Sequence, residues 1–215
     1  METQKFKLAD IFYGIIIPLI LVLLIYVLAV YVNPSGTEHV LGVSGLGGTV
    51  AVILTQGFAQ MIVLGIPLVL GLLWNKWAGG AAGFLMGGLY YVATAGLYTG
   101  YYQGAYNFYG DLSMLFYLVN AVMIGYIAGS LVGGSTNFKR MLGAGLTASL
   151  IVAVIQAYMN YYIALEPSRN MGQASWAADP VNAFIIAFVP GIALGVIVPI
   201  IGKVMTWYGL QPARH

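Results

Sequence analysis

Residues 76–98 read KWAGGAAGFLMGGLYYVATAGLY. After Lys76 the stretch carries no charge, and its 23 residues exceed the roughly 20 that a bilayer core of about 30 Å requires of a helix. Gly79, Gly83 and Gly87 recur every four residues, so on a helix they line one face. Small residues at this spacing let a second backbone come close, which is how helices associate in lipid, where no hydrophobic drive pushes them together. The stretch therefore predicts a membrane helix with one tightly packed side.

The rest of the chain has the same character. Of its 215 residues 60% are hydrophobic and only 7% charged, with a mean hydropathy of +0.89. A soluble domain carries roughly 25% charged residues, so this chain cannot coat a water-facing surface. It reads as a multi-pass protein of the cell membrane, with the lipid bilayer as its main surrounding. Six apolar stretches are long enough to cross, at about 11–32, 50–73, 78–98, 113–133, 141–164 and 181–207. No linker or composition shift divides them, so 1–215 is expected to be one all-α bundle of six transmembrane helices. The first run follows Lys5 and Lys7 like a signal peptide but exceeds the usual apolar core of about 7–15 residues. It is expected to stay as the first span.

Charge supports the count. With six spans, Lys5, Lys7, Lys76, Lys139, Arg140, Lys203 and Arg214 share one side, seven of the eight cations. Arg169 stands on the other side with Glu38, Asp111, Glu166 and Asp179. Lys and Arg are retained in the cytoplasm during insertion, which places both termini there. The net charge of +2 gives no reason to expect a nucleic-acid partner.

The glycine rhythm continues beyond the opening stretch. Gly125, Gly129 and Gly133 repeat it on the fourth span, and Gly191 and Gly195 on the sixth. Such faces serve either internal packing or a partner helix. Pro18, Pro67, Pro190 and Pro199 fall within spans and should kink them, with no role beyond that assigned.

Much chemistry is missing. No ionisable residue lies near the middle of any span, which argues against an ion-coupled transporter, a proton pump or a voltage sensor. The histidines are His39, in an outer loop, and His215, so no metal or haem site is expected; without cysteine there is no thiolate chemistry. No phosphate-binding loop, dinucleotide fingerprint or nucleophile elbow occurs. These features point away from an enzyme, and no cofactor is implied.

What remains is an aromatic, amide-rich outer end. Residues 99–112 read TGYYQGAYNFYGDL. Rings that stack and amides that pair with polar edges suit a neutral or heteroaromatic ligand. The expected outer site is Tyr98, Tyr102, Gln103, Tyr106, Asn107, Tyr158, Asn160 and Tyr162, with Glu38, Arg169 and Trp176 on the flanking loops. The competing reading of each tyrosine is an interfacial anchor. A binder with no means of driving transport needs a partner that supplies energy.

Three stretches carry a family resemblance: VLGIPLVLGLLWNKWAGGAAGFLMGGLYYVATAGLY (63–98), LVNAVMIGYIAGSLVG (118–133) and VPGIALGVIVPIIGKV (189–204). In hydropathy and small-residue rhythm they resemble the substrate-binding S-components of energy-coupling factor (ECF) vitamin transporters. The resemblance implies six helices, cytoplasmic termini and a vitamin-like cargo bound at the outer end. It also implies a transmembrane coupling subunit and two cytoplasmic ATPases as partners, with 99–112 forming part of a lid. The family's Ala-x-x-x-Ala contact on the first helix is absent from GIIIPLILVLLIYVLAV, residues 14–30. Two other readings stay open: a non-catalytic accessory subunit of a larger membrane complex, and a homo-oligomeric pore.

Overall fold

A computed structural model describes residues 58–102, 112–163 and 180–209, together with Ile16 and Ile20. Among these residues the chain is all helical. The helices are α1 (Phe58–Leu73), α2 (Lys76–Tyr102), α3 (Leu112–Val132), α4 (Phe138–Tyr158) and α5 (Pro180–Trp207), with a π-helical turn, Met159–Ile163, continuing α4. Three stretches are long and apolar enough to cross a membrane: Leu115–Val132, Phe138–Tyr158 and Ala187–Trp207. The apolar part of α1, Met61–Leu73, is shorter. The expected first span, 11–32, lies outside the described residues except for Ile16 and Ile20, as do residues 50–57 of the second.

Local chemistry sets the helix ends. Trp74 and Asn75 alone separate α1 from α2, and the Asn75 side chain caps α2 by accepting from the Ala78 N–H at 2.8 Å. Asn137 caps α4 in the same way, accepting from the Lys139 N–H at 3.0 Å. At the end of α3, Gly133 and Gly134 adopt φ of 54° and 76°, the left-handed turn that side chains disfavour. Gly133, expected on the glycine stripe of the fourth span, is thus an exposed turn residue, because the helix stops at Val132.

One end of the bundle gathers the charge. Lys76 starts α2, Lys139 and Arg140 start α4, and Lys203 lies in the last two turns of α5. Lys203 donates to the Thr136 carbonyl at 3.3 Å and Arg140 to the Leu131 carbonyl at 3.2 Å, tying these ends together. Lys76 sits 5.6 Å from the ring centres of both Trp77 and Tyr126. No acid occurs among the described residues, so the described part of this end carries only cations.

Small residues hold the helices together. A Cβ on Gly79 would lie 2.7 Å from the Gly125 carbonyl oxygen, and one on Gly83 would meet the Ala121 carbonyl. Gly87 faces Leu118, and Gly129 faces Lys76 and Gly71. The stripes of α2 and α3 therefore pack on each other, with α1 alongside. On α5, Gly191 and Gly195 face Ala153, Ser149, Leu146 and Gly145 of α4. The interior is rich in alanine (Ala121, Ala128, Ala144, Ala148, Ala157), while Phe84, Val92, Val154, Ile197 and Ile200 are exposed. Small residues sit where helices touch, as expected in lipid, while Leu68, Leu72, Met86, Ile124 and Met141 fill the rest of the interior.

Candidate functional site

Among the described residues, the apolar interior contains three buried polar side chains, Asn120, Ser149 and Gln156. Asn120 of α3 donates from Nδ2 to Oε1 of Gln156 on α4 at 2.6 Å. Oδ1 of Asn120 and Oγ of Ser149 have no hydrogen-bond partner among the described residues. Burying such groups is costly unless they are paired, so their presence here asks for a function.

Their helical positions explain how they come together. Ser149, Val152, Ala153 and Gln156 follow the i, i+3, i+4, i+7 spacing and so share one face of α4. That face meets α5 at Pro190, Gly191 and Leu194. Gly191 permits the approach: a Cβ there would lie 2.9 Å from the Ala153 Cβ and 3.3 Å from the Ser149 carbonyl oxygen. A cleft of about 40 Å³ lies beside this contact. Met61 and Leu64 of α1 and Tyr117 and Ile124 of α3 close its other walls. Tyr117 is braced edge-on by Tyr90 of α2, ring centres 6.0 Å apart.

The cleft lies in the half of the bundle away from the cations. Gln156 is two residues from the end of α4, whose first turn holds Lys139 and Arg140. Among the described residues, no Asp, Glu, His, Lys or Arg lines it. The π-helical turn that follows Gln156 packs against both α3 and α5 at this end. Such turns are uncommon and recur near functional sites.

The residues expected from sequence fall elsewhere or outside the described part. Tyr158 and Tyr162 are 53% and 62% exposed. Their rings meet at a 36° tilt with centres 4.9 Å apart, and Tyr161 meets Tyr162 edge-on at 4.6 Å. Neither Tyr158 nor Tyr162 lines the cleft. Tyr158 is two residues past Gln156, about 200° around the helix, so the burial of one turns the other outward. Tyr98 and Tyr102 lie on the last turns of α2, and Asn160 in the π-helical turn. Gln103, Tyr106, Asn107, Glu38, Arg169 and Trp176 lie outside the described residues.

Sequence reasoning passed over Asn120, Ser149 and Gln156. The signal was there in LVNAV and VIQAY, where neutral amides interrupt apolar spans. A search for ionisable residues does not register them. In comparisons with known proteins, no family model matches this chain, and no curated protein or solved structure matches it either.

Proposed function

We propose that the protein is the membrane-embedded substrate-capture component of an ECF-type uptake transporter. In this reading it has six spans, both termini and the cationic end lie in the cytoplasm, and the cleft belongs to the outward half. One end of a small vitamin-like or heteroaromatic molecule is held there. A transmembrane coupling subunit and cytoplasmic ATPases supply the energy, since the chain has no nucleotide-binding loop of its own.

One observation carries the reading: a cleft in the half opposite the cations, walled by apolar side chains and provided with a few buried neutral polar groups. Ligand sites commonly have this composition, and lysine-rich ends are retained on the cytoplasmic side. The accessory-subunit reading loses its main support, because the glycine faces of α2 and α3 are spent on each other.

Native mass spectrometry of the protein released gently from its own membranes tests the proposal. Expected is a bound non-lipid molecule of vitamin-like size, or co-purifying ATPase subunits. Retention should weaken on Gln156→Ala. A protein that carries only lipid, or assembles with other membrane subunits and no ATPase, would overturn it.

A further inference from the structure

Arg140 and Lys203 reach one short turn from two different helices. Arg140, in the first turn of α4, folds back so that its Nε donates to the Leu131 carbonyl at 3.2 Å. Its guanidinium lies against Gly133, where an added Cβ would stand 3.0 Å from Nη2. Lys203 comes from α5, 67 positions from Thr136, and its Nζ donates to the Thr136 carbonyl at 3.3 Å. The end of α5 lies on the start of α4 here, since a Cβ on Gly202 would stand 2.9 Å from the Met141 Cε. Lys139 is exposed beside them.

We propose that the turn between α3 and α4 binds the headgroup of an anionic phospholipid, with Arg140 and Lys203 on its phosphate. Cytoplasmic retention of cations requires only their presence. It does not require two of them to converge on the backbone of residues 131–136. The carbonyls they meet are neutral, and each cation spends one donor there, of five on a guanidinium and three on an ammonium. Charge and donors remain for a phosphate, whose geometry the planar arginine fork matches.

The chain's own acids are too few to neutralise this end. In the six-span arrangement its side holds seven of the eight cations and, of the six acids, only Glu2 and Asp10. The excess faces the leaflet that carries anionic lipid. The surroundings suit a lipid rather than a soluble phosphate. Ile197, Ile200, Ile201 and Val204 are exposed on α5, an apolar wall for acyl chains that ends beside Lys203. Trp207, one turn further, is exposed where indoles favour the interface. A zwitterionic headgroup would bring its own ammonium towards Lys139, Arg140 and Lys203 and is disfavoured. The inference rests on the cytoplasmic placement of the cationic end proposed above, not on the captured molecule.

The test titrates the full chain in mild detergent with phosphatidylglycerol, with phosphatidylcholine of the same acyl chains, and with glycerol 3-phosphate. Thermal unfolding reads binding, and native mass spectrometry counts the lipids retained. Phosphatidylglycerol should bind about tenfold or more tightly than phosphatidylcholine, and Arg140→Gln and Lys203→Gln should each weaken it about five-fold, the worth of one cation at an anionic headgroup. Lys76→Gln, at the same end but on α2, should leave its affinity unchanged.

Equal binding of the two lipids overturns the proposal, and the wild-type comparison decides this even where a variant fails to fold. A loss on Lys76→Gln as large as on Arg140→Gln also overturns it, since diffuse charge would then suffice. Indifference to both Arg140→Gln and Lys203→Gln does the same. Glycerol 3-phosphate binding as tightly as the lipid defeats the lipid assignment in favour of a soluble phosphate ester. Detergent has no sidedness, so the titration judges the site independently of topology, which labelling of Thr136→Cys reads separately. Retained phosphatidylglycerol with no captured molecule supports the site and defeats the capture function. A captured molecule with no preference between the lipids does the reverse.

Discussion

Gly79 and Gly80 are adjacent on α2, yet alanine should have opposite effects at the two. A Cβ on Gly79 would stand 2.7 Å from the Gly125 oxygen, 2.8 Å from the Gly125 carbonyl carbon and 2.8 Å from the Gly71 Cα. All three are backbone atoms of neighbouring helices, so no side-chain rotation relieves the clash. Reaching the ordinary contact distance of 3.4 Å requires α2 to back away from α3 and α1 by about 0.7 Å. Overpacking of this kind costs about 1–3 kcal/mol, offset by the roughly 0.5–1 kcal/mol that alanine gains over glycine in a helix. Gly79→Ala should therefore lose about 1–2 kcal/mol, or about 3–6 °C in Tm for a chain of this size. At Gly80 the added Cβ meets, among the described residues, only the Tyr126 ring and Cβ at 3.9 Å, an ordinary contact. Gly80→Ala should gain about 0.5–1 kcal/mol from helix propensity alone. Thermal unfolding in a mild detergent, followed by intrinsic tryptophan fluorescence, reads both, with Trp74 and Trp77 close to the substitutions. Equal Tm values for the two variants would refute the close approach of α2 and α3.

Two further outcomes are expected. Asn120→Leu and Gln156→Leu should each destabilise by about 1–3 kcal/mol, since each removes the buried amide–amide hydrogen bond. The double variant should cost less than the two together, with a coupling of about 0.6–1.7 kcal/mol in denaturation; strict additivity would mean that the 2.6 Å bond is not made. The chain contains no cysteine, so single-cysteine labelling needs no prior engineering. Thr136→Cys, at the cationic end, should react with a membrane-impermeant maleimide only in inverted vesicles, and Gln173→Cys, in the expected fifth loop, only in intact cells. Labelling of both from one side would defeat the six-span topology.

The candidate site was only partly legible in the sequence, for a reason particular to membrane chains. In water, the buried face of a helix is apolar and the exposed face polar, so periodicity reveals which residues point inward. In lipid both faces are apolar. Ile151 and Val154 are exposed while Val152 is buried, although all three are equally hydrophobic. The tyrosines drew attention as the visible polar feature of the outer end, and Tyr158 and Tyr162 prove to face outward. Gln156, two residues earlier, faces inward. Residue size was the more faithful guide, since Gly79, Gly83, Ala121 and Gly125 mark contacts because only small side chains let backbones touch.

Apolar composition alone determined that the chain is helical and membrane-embedded, because lipid leaves a backbone few other ways to satisfy its hydrogen bonds. The spacing of cations was likewise readable at once: Lys76, Lys139, Arg140 and Lys203 cluster wherever antiparallel helices return to the same side. Tertiary structure decided the pairing, α2 on α3 and α4 on α5, because a glycine stripe states that something approaches without stating what. It also decided the site. Asn120 and Gln156 lie 36 positions apart and meet only when α3 and α4 pack. Ser149 and Gln156 join one cleft lining only once α5 lies across α4.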